Sequence, residues 1–329
     1  MRAYSYRCHD FSLLTPSFKK WFVAPLLPLV PWGLPANIIT IVSNGFVYLA
    51  LYMALFYHGP LFQLIIAACL FVYLIGDHLD GMQAKKTNTG SALGEFCDHY
   101  LDAFNNGIIL FTAFLVFEIS NPILIGIVLA TSYLAHMAVF YEQFKTGWIT
   151  FEKLGSLEAV LLISFLIASS AISSVYGFLT TEILYSYRII ELLFLGSAVG
   201  ALLTFLSTTS RTPNKGKAMW LFVLGLGLLT FLSINTFSGF QIFVLITLYS
   251  SLYIGQVMKG HLVDGLEQIP DLVIPSALLI NQFIPLTNSQ FAYAVLSLYL
   301  VVRIILLIIQ TFGVLKIYWV WSNPRTSTK

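Results

Sequence analysis

GDHLDGMQAKKTNTGSALGEFCDHYLDAFNN, residues 76–106, sets four aspartates into a chain that is otherwise mostly apolar. Asp77 and Asp80 close one hydrophobic segment, and Asp98 and Asp102 open the next. Spacings of i,i+3 and i,i+4 put each pair on one face of its helix. A short loop between two such helices brings all four carboxylates to one place. Like charges held that close repel, and a hard divalent cation relieves the conflict. An all-oxygen set favours Mg²⁺, Mn²⁺ or Ca²⁺ over zinc, and four carboxylates favour two ions over one. Gly81, Ala84 and Gly94, beside the acids, let helix backbones approach and admit a bulky ligand. The competing reading, solvated acids at helix ends, explains less, because ionisable groups within membrane segments are costly to keep without a task.

The membrane setting follows from composition. Of 329 residues 58% are hydrophobic and 10% charged, which is not the make-up of a soluble domain, and a net charge of +2 gives no reason to expect nucleic acid as a partner. Hydrophobic runs recur throughout and predict an all-α polytopic membrane protein, a single domain over 1–329. About ten segments come near the ~20 residues a bilayer requires. They lie at about 37–57, 61–82, 94–117, 122–144, 156–174, 187–208, 218–235, 238–258, 269–286 and 289–312. Punctuation separates them at His58-Gly59-Pro60, Ser120-Asn121-Pro122, Arg211–Lys217 and Leu286–Asn288. Before the first span, residues 11–34 mix Phe11, Leu14, Phe18, Trp21 and Phe22 with Lys19 and Lys20, which predicts an amphipathic helix lying in the interface. Arg2, Arg7, Asp10, Lys19 and Lys20 argue against a cleavable signal peptide.

Charge orients the bundle. Lys85, Lys86, Lys145, Lys153, Arg211, Lys215, Lys217, Lys259, Lys316, Arg325 and Lys329 all fall on the side of the N-terminus, and the opposite loops carry no Lys or Arg. By the positive-inside rule both termini and the aspartates face the cytoplasm. Cys8, Cys69 and Cys97 have no metal-ligand spacing and predict no disulfide.

Along the third span Glu95, Asp98, His99, Asp102 and Asn105 or Asn106 recur every three to four residues, a polar stripe that packing does not explain. His99 carries a side chain whose ordinary pKa suits proton transfer, and Glu95, one turn earlier, is placed to orient it. Asp102 is the alternative base. Lys85 is a candidate for anionic groups, whereas Lys86 reads as an interfacial anchor. Asn37 at the start of the first span has the position of an N-cap. Arg188 and Glu191 read as a local pair, and Arg303, inside the last span, requires a partner that the sequence does not identify.

Written out, the acidic stretch is Asp77-x2-Asp80-Gly81-x2-Ala84-Lys85-x8-Gly94-x3-Asp98-x3-Asp102. It resembles the signature of the CDP-alcohol phosphotransferases, D-x2-D-G-x2-A-R-x8-G-x3-D-x3-D, at every spacing. Lys85 stands where the family usually has Arg; a cation remains, but the bidentate fork is lost, which puts the strength of nucleotide binding in doubt. Gln83, Glu95 and His99 make the text similar to the choline/ethanolamine branch. So do "SLLTP", "PANIIT" and "YEQFKTG".

The resemblance implies catalytic helices within 37–144 and contact of Asn37, Gly81, Ala84, Lys85 and Gly94 with the nucleotide and its phosphates. It implies Asp77, Asp80, Asp98 and Asp102 as ligands of Mg²⁺ or Mn²⁺, His99 as base and Glu95 as its support. Glu142 and Glu158 are left as either headgroup contacts or parts of the framework. The implied reaction moves phosphocholine or phosphoethanolamine from its CDP ester to diacylglycerol, releasing CMP, and the implied assembly is a homodimer. Three alternatives compete with this reading. A CDP-diacylglycerol enzyme acting on a small alcohol shares the aspartates, but such relatives usually have about six spans and lack the Gly-Glu-x-x-Asp-His text. A transporter predicts inverted repeats. A prenyltransferase predicts two distant acidic motifs.

Overall fold

The computed structural model describes residues 6–283 and 288–315. Arg2 of the signal-peptide argument, Lys316, Arg325 and Lys329 of the orientation argument, and Leu286 and Thr287 of the last turn lie outside the described residues. The chain is all-α, with twelve helices among those residues. They are α1 Thr15–Phe18, α2 Ala36–Phe56, α3 Pro60–Thr87, α4 Ala92–Val116, α5 Pro122–Thr146, α6 Ser156–Ser170, α7 Ser173–Leu179, α8 Ile189–Arg211, α9 Lys217–Ile234, α10 Gly239–Lys259, α11 Val273–Phe283 and α12 Ser289–Leu315.

Helices occupy all ten expected segments, but by length and apolarity seven of them are able to cross a bilayer: α2, α3, α5, α8, α9, α10 with its continuation, and α12. The other three depart for identifiable reasons. Helix α4 is long enough, yet Glu95, Asp98 and Asp102 crowd its first three turns. Helix α6 stops at Ser170, and α7 resumes only at Ser173. Helix α11 begins at Val273 rather than 269, because Pro270 precedes it and Asp271 caps it by accepting the amide of Val273. The expected interfacial helix over 11–34 is likewise not one helix. It is α1, a wide π turn over Lys19–Val23 and a 3₁₀ turn over Leu27–Leu29. Pro16 starts the first piece, and Pro25, Pro28 and Pro31 deny the rest an unbroken amide ladder.

Helix ends follow local chemistry. Asn121 caps α5, accepting from the amides of Ile123 and Leu124, and Gly147 ends it at φ 76°. Ser238 and Gln241 form a capping box on α10.

The chain divides into two compact units. One takes the chain up to Val116, Phe151–Leu179 and the end of α12 from Phe312; within it α2 packs on α3 and α4, and α6 on α3 and α4. The closest approach is at Gly76 of α3, where an added Cβ would overlap Ser43 of α2. The other unit holds Phe117–Thr150 and Thr180–Thr311, with α5 packed on α8, α9 and α10. Helix α10 is its most enclosed member: 83% of its apolar window is buried against 22% for α12, whose flank is left for lipid. Cys8, Cys69 and Cys97 are free thiols.

Candidate metal centre

Helices α3 and α4 are joined by the short turn around Asn88–Ser91. Asn88 ends α3 in the left-handed conformation at φ 53°, and its amide reaches back to the carbonyls of Ala84 and Lys85. Ser91 Oγ accepts the amide of Gly94 at 3.1 Å, starting α4. This turn folds the two acidic faces toward each other. Carboxylate oxygens of Asp77, Asp98 and Asp102 come to lie within 4.8 Å of one another.

Asp80 is not part of that group of three. It is buried, at 3% exposure, and accepts Thr40 Oγ1 of α2 at 2.5 Å. Asp102 accepts Tyr73 Oη at 2.7 Å, and Asn105 Nδ2 reaches its Oδ1 at 3.5 Å and Asn44 Oδ1 at 2.5 Å. His78 Nδ1 stands 3.2 Å from Asp77 Oδ2. Asp98 is the exception: its Oδ1 is buried and has no hydrogen-bond partner. A carboxylate with an unpartnered buried oxygen, clustered with two further carboxylates, is an all-oxygen donor set suited to a hard divalent cation. The residues present therefore fit a metal.

His99 is buried on the same face of α4, with Nδ1 3.9 Å from both Asp98 Oδ2 and Asp102 Oδ2. That is too long for a hydrogen bond from Nδ1. The ring of Tyr6 lies 6.1 Å from it, centroid to centroid. Glu95, one turn earlier, is also buried.

The remaining expected residues separate into three groups. Gly81 faces open space, with nothing within 4 Å of an added Cβ, and Lys85 is exposed nearby on α3. A Cβ at Gly94 would stand 3.2 Å from Asn37 Oδ1, so these two share one spot. Asn37 is not the cap of α2, since that position belongs to Pro35. Ala84 is half-buried, one residue before Lys85. Lys86 donates to the carbonyls of Leu27 and Val30, both at 3.0 Å, and Gln83 to those of Pro31 and Leu34. They pin the proline-rich segment to the end of α3.

Glu142 and Glu158, left open between headgroup and framework, are both engaged by other parts of the chain. Glu142 is held by Arg211, from Nε at 2.5 Å and Nη2 at 3.0 Å. Glu158 accepts Ser12 Oγ at 2.5 Å and the amides of Leu14 and Gly155. Neither presents an open carboxylate, and both tie down framework.

Sequence reasoning passed over Thr40, Tyr73 and His78. Tyr73 had a readable signal, since it lies four residues before Asp77 on the same helical face. Thr40 had none, because its partner lies 40 residues away.

Residues 34–194 match the family model described as CDP-alcohol phosphatidyltransferase. The chain is 30% identical over 183 residues to an uncharacterised class-I member of that family from Schizosaccharomyces pombe, covering 51% of this chain and 46% of the relative. It is 26% identical over 191 residues to Choline/ethanolaminephosphotransferase 1 of Saccharomyces cerevisiae, covering 54% and 46%. A class-I member from Dictyostelium discoideum is 26% identical over 222 residues, covering 61% and 55%. The chain thus spans about half the length of the curated relatives it matches.

Proposed function

The chain carries a CDP-alcohol phosphatidyltransferase domain and is a member of that family, and from this premise we propose that it transfers phosphocholine or phosphoethanolamine from the CDP ester to diacylglycerol. The observation that carries the reading is the cluster of Asp77, Asp98 and Asp102 with His99 on the same helical face. Likeness to a relative named for choline and ethanolamine transfer supports the choice of donor.

Asp77, Asp98 and Asp102 would hold the ion, Mg²⁺ or Mn²⁺ by their donor type, and Asp80 is the residue a second ion would recruit from Thr40. Such an ion supplies charge neutralisation at the diphosphate. The chain's own residues do the rest. Lys85 offers its cation to the phosphates, the bare backbone at Gly81 leaves room for the nucleotide, and Asn37, admitted close to the bare backbone of Gly94, contacts it. Diacylglycerol enters from the bilayer. His99 takes the proton of its hydroxyl as the oxygen attacks the β-phosphorus, and the bond from that phosphorus to the bridging oxygen breaks. CMP leaves with the bridging oxygen, and His99 passes its proton to water. Glu95 and the two carboxylates near His99 favour the protonated ring formed in the step.

Positive charges on the N-terminal side support a site open to the cytoplasm, and a homodimer is part of the same proposal. The test supplies membranes containing the protein with Mg²⁺, diacylglycerol and each labelled CDP-alcohol in turn, and CDP-diacylglycerol with small alcohols in a parallel set. Labelled phosphatidylcholine or phosphatidylethanolamine, identified by mass, is the expected product. Product only from CDP-diacylglycerol would replace the reading with its alternative.

A further inference from the structure

The second unit contains polar chemistry that phosphotransfer does not use. Between α10 and α12 lies a cavity of about 170 Å³, whose polar lining is Gln256, Lys259, Gln268, Arg303 and Gln310. A cavity of this size holds several waters and has room for a phosphate group. Both charged members of the lining are cations.

The backbone is bent to build it. After α10 a π turn over Gly260–Asp264 ends at Gly265, φ 69°, and the chain folds back so closely that a Cβ at Gly260 would lie 2.5 Å from the carbonyl oxygen of Leu266. A non-helical run follows to Leu272. Irregular backbone between membrane helices is tolerated where it lines a polar cavity.

Asp271 then fixes Arg303. Its Oδ2 accepts Arg303 Nη1 at 2.5 Å and Tyr299 Oη at 2.8 Å, and its Oδ1 caps α11. With one nitrogen held, a planar guanidinium has further N–H donors aimed elsewhere. Lys259 Nζ touches Gln310 Oε1 at 3.3 Å, with Asp264 at 4.0 Å, and Gln256 Oε1 is buried without a hydrogen-bond partner. The cavity therefore presents two cations and three amides to one small space. Its edge is apolar: Leu306 lines it and is 46% exposed, beside exposed Val302, Ile305 and Ile309 on α12.

We propose that this cavity binds the phosphodiester headgroup of a membrane phospholipid, whose acyl chains lie along the exposed flank of α12. The exposed apolar edge favours a lipid over free phosphate, and the two cations with amides favour a phosphodiester over an uncharged glyceride. The site is separate from the aspartate centre and does not depend on the transfer reaction assigned there.

The test uses the full chain, delipidated in detergent, with binding read by native mass spectrometry and by thermal shift. The probes are dioleoylphosphatidylglycerol, dioleoylglycerol (the same chains without the phosphodiester) and inorganic phosphate. Lys259→Gln and Gln310→Leu are compared with wild type; Arg303 is left intact because it anchors Asp271. Dioleoylphosphatidylglycerol should bind wild type and lose about tenfold in affinity in Lys259→Gln, since a charge-assisted contact is removed. The lipid-free melting temperature and CMP release should stay unchanged. Equal affinity in wild type and both variants, or binding of dioleoylglycerol as tight as that of dioleoylphosphatidylglycerol, would overturn the proposal. Inorganic phosphate producing the whole shift by itself would overturn the lipid as occupant. If Lys259→Gln does not fold, Gln310→Leu carries the same comparison.

Discussion

Gly76→Ala should silence the enzyme without touching any group that does chemistry. The added methyl would overlap Ser43 Cβ and come within 3.1 Å of its Oγ and 3.5 Å of its Cα. Ordinary contact begins at 3.4 Å, so α2 and α3 must part by about an ångström. Overpacking of this kind costs roughly 1–3 kcal/mol, which lowers the melting temperature but leaves a folded protein. The displacement matters more to function. Asp77 is the next residue, and Asp80 is held one turn further on by Thr40, three residues from Ser43 on α2. A shift of ~1 Å in catalytic groups costs about 100-fold in rate. CMP release from a labelled CDP-alcohol, in mixed micelles with diacylglycerol and Mg²⁺, should therefore fall by about that factor.

Ser43→Gly in the same chain removes both overlapping atoms. It also removes the bond from Ser43 Oγ to the carbonyl of Thr40, but Asn44 Nδ2 still donates to that carbonyl at 2.7 Å. The double variant should regain most of the rate. Full activity in Gly76→Ala, or a double variant no better than the single one, would show that the α2–α3 contact does not position the aspartates.

Asp98→Ala should abolish CMP release from a folded protein, and chelation should do the same to wild type until Mg²⁺ is restored; normal turnover in the variant removes the metal assignment. His99→Ala should lose at least ~100-fold in kcat and flatten the pH–rate profile, whereas an unchanged profile moves the base role to Asp102. Lys85→Arg restores the planar fork and should lower KM for the CDP donor several-fold with kcat unchanged; an unaltered KM means this side chain does not meet the phosphates. Asp271→Ala removes the partner of Arg303 and the cap of α11 and should cost about 1–3 kcal/mol in detergent melts; a melting curve matching wild type would mean the pair contributes nothing.

What the sequence revealed and what it hid divide along chain distance. The Asp98–Asp102 spacing and the small turn between α3 and α4 are local, and they suffice to bring three carboxylates together. Asp80 obeys the same spacing, yet its carboxylate turns to Thr40, a contact set by how α2 packs on α3. Composition revealed a membrane bundle because apolar runs are additive along the chain. It could not reveal that α11 starts late, which depends on Asp271 capping it, nor that the prolines after Lys20 cut an amphipathic pattern into short turns. Arg303 shows the same limit. Its need for a partner was plain from its apolar surroundings, but the partner is 32 residues away, in a stretch whose fold no periodicity encodes.

Charge accounting gives the strongest independent pointer to the site. Arg303 is answered by Asp271, Arg211 by Glu142 and Arg188 by Glu191, and Glu158 is answered by a hydroxyl and two amides. These are what a framework in lipid requires, since an unpaired buried charge is among the costliest features a fold can hold. Asp98 breaks the pattern. Its buried oxygen has no donor, and the groups clustered with it, Asp77 and Asp102, carry the same charge. No rearrangement of those three side chains among themselves removes the repulsion, whereas a bound cation would remove it. Beside the paired Glu142, Glu158, Glu191 and Asp271, the open oxygen of Asp98 is the feature that the proposed ion accounts for.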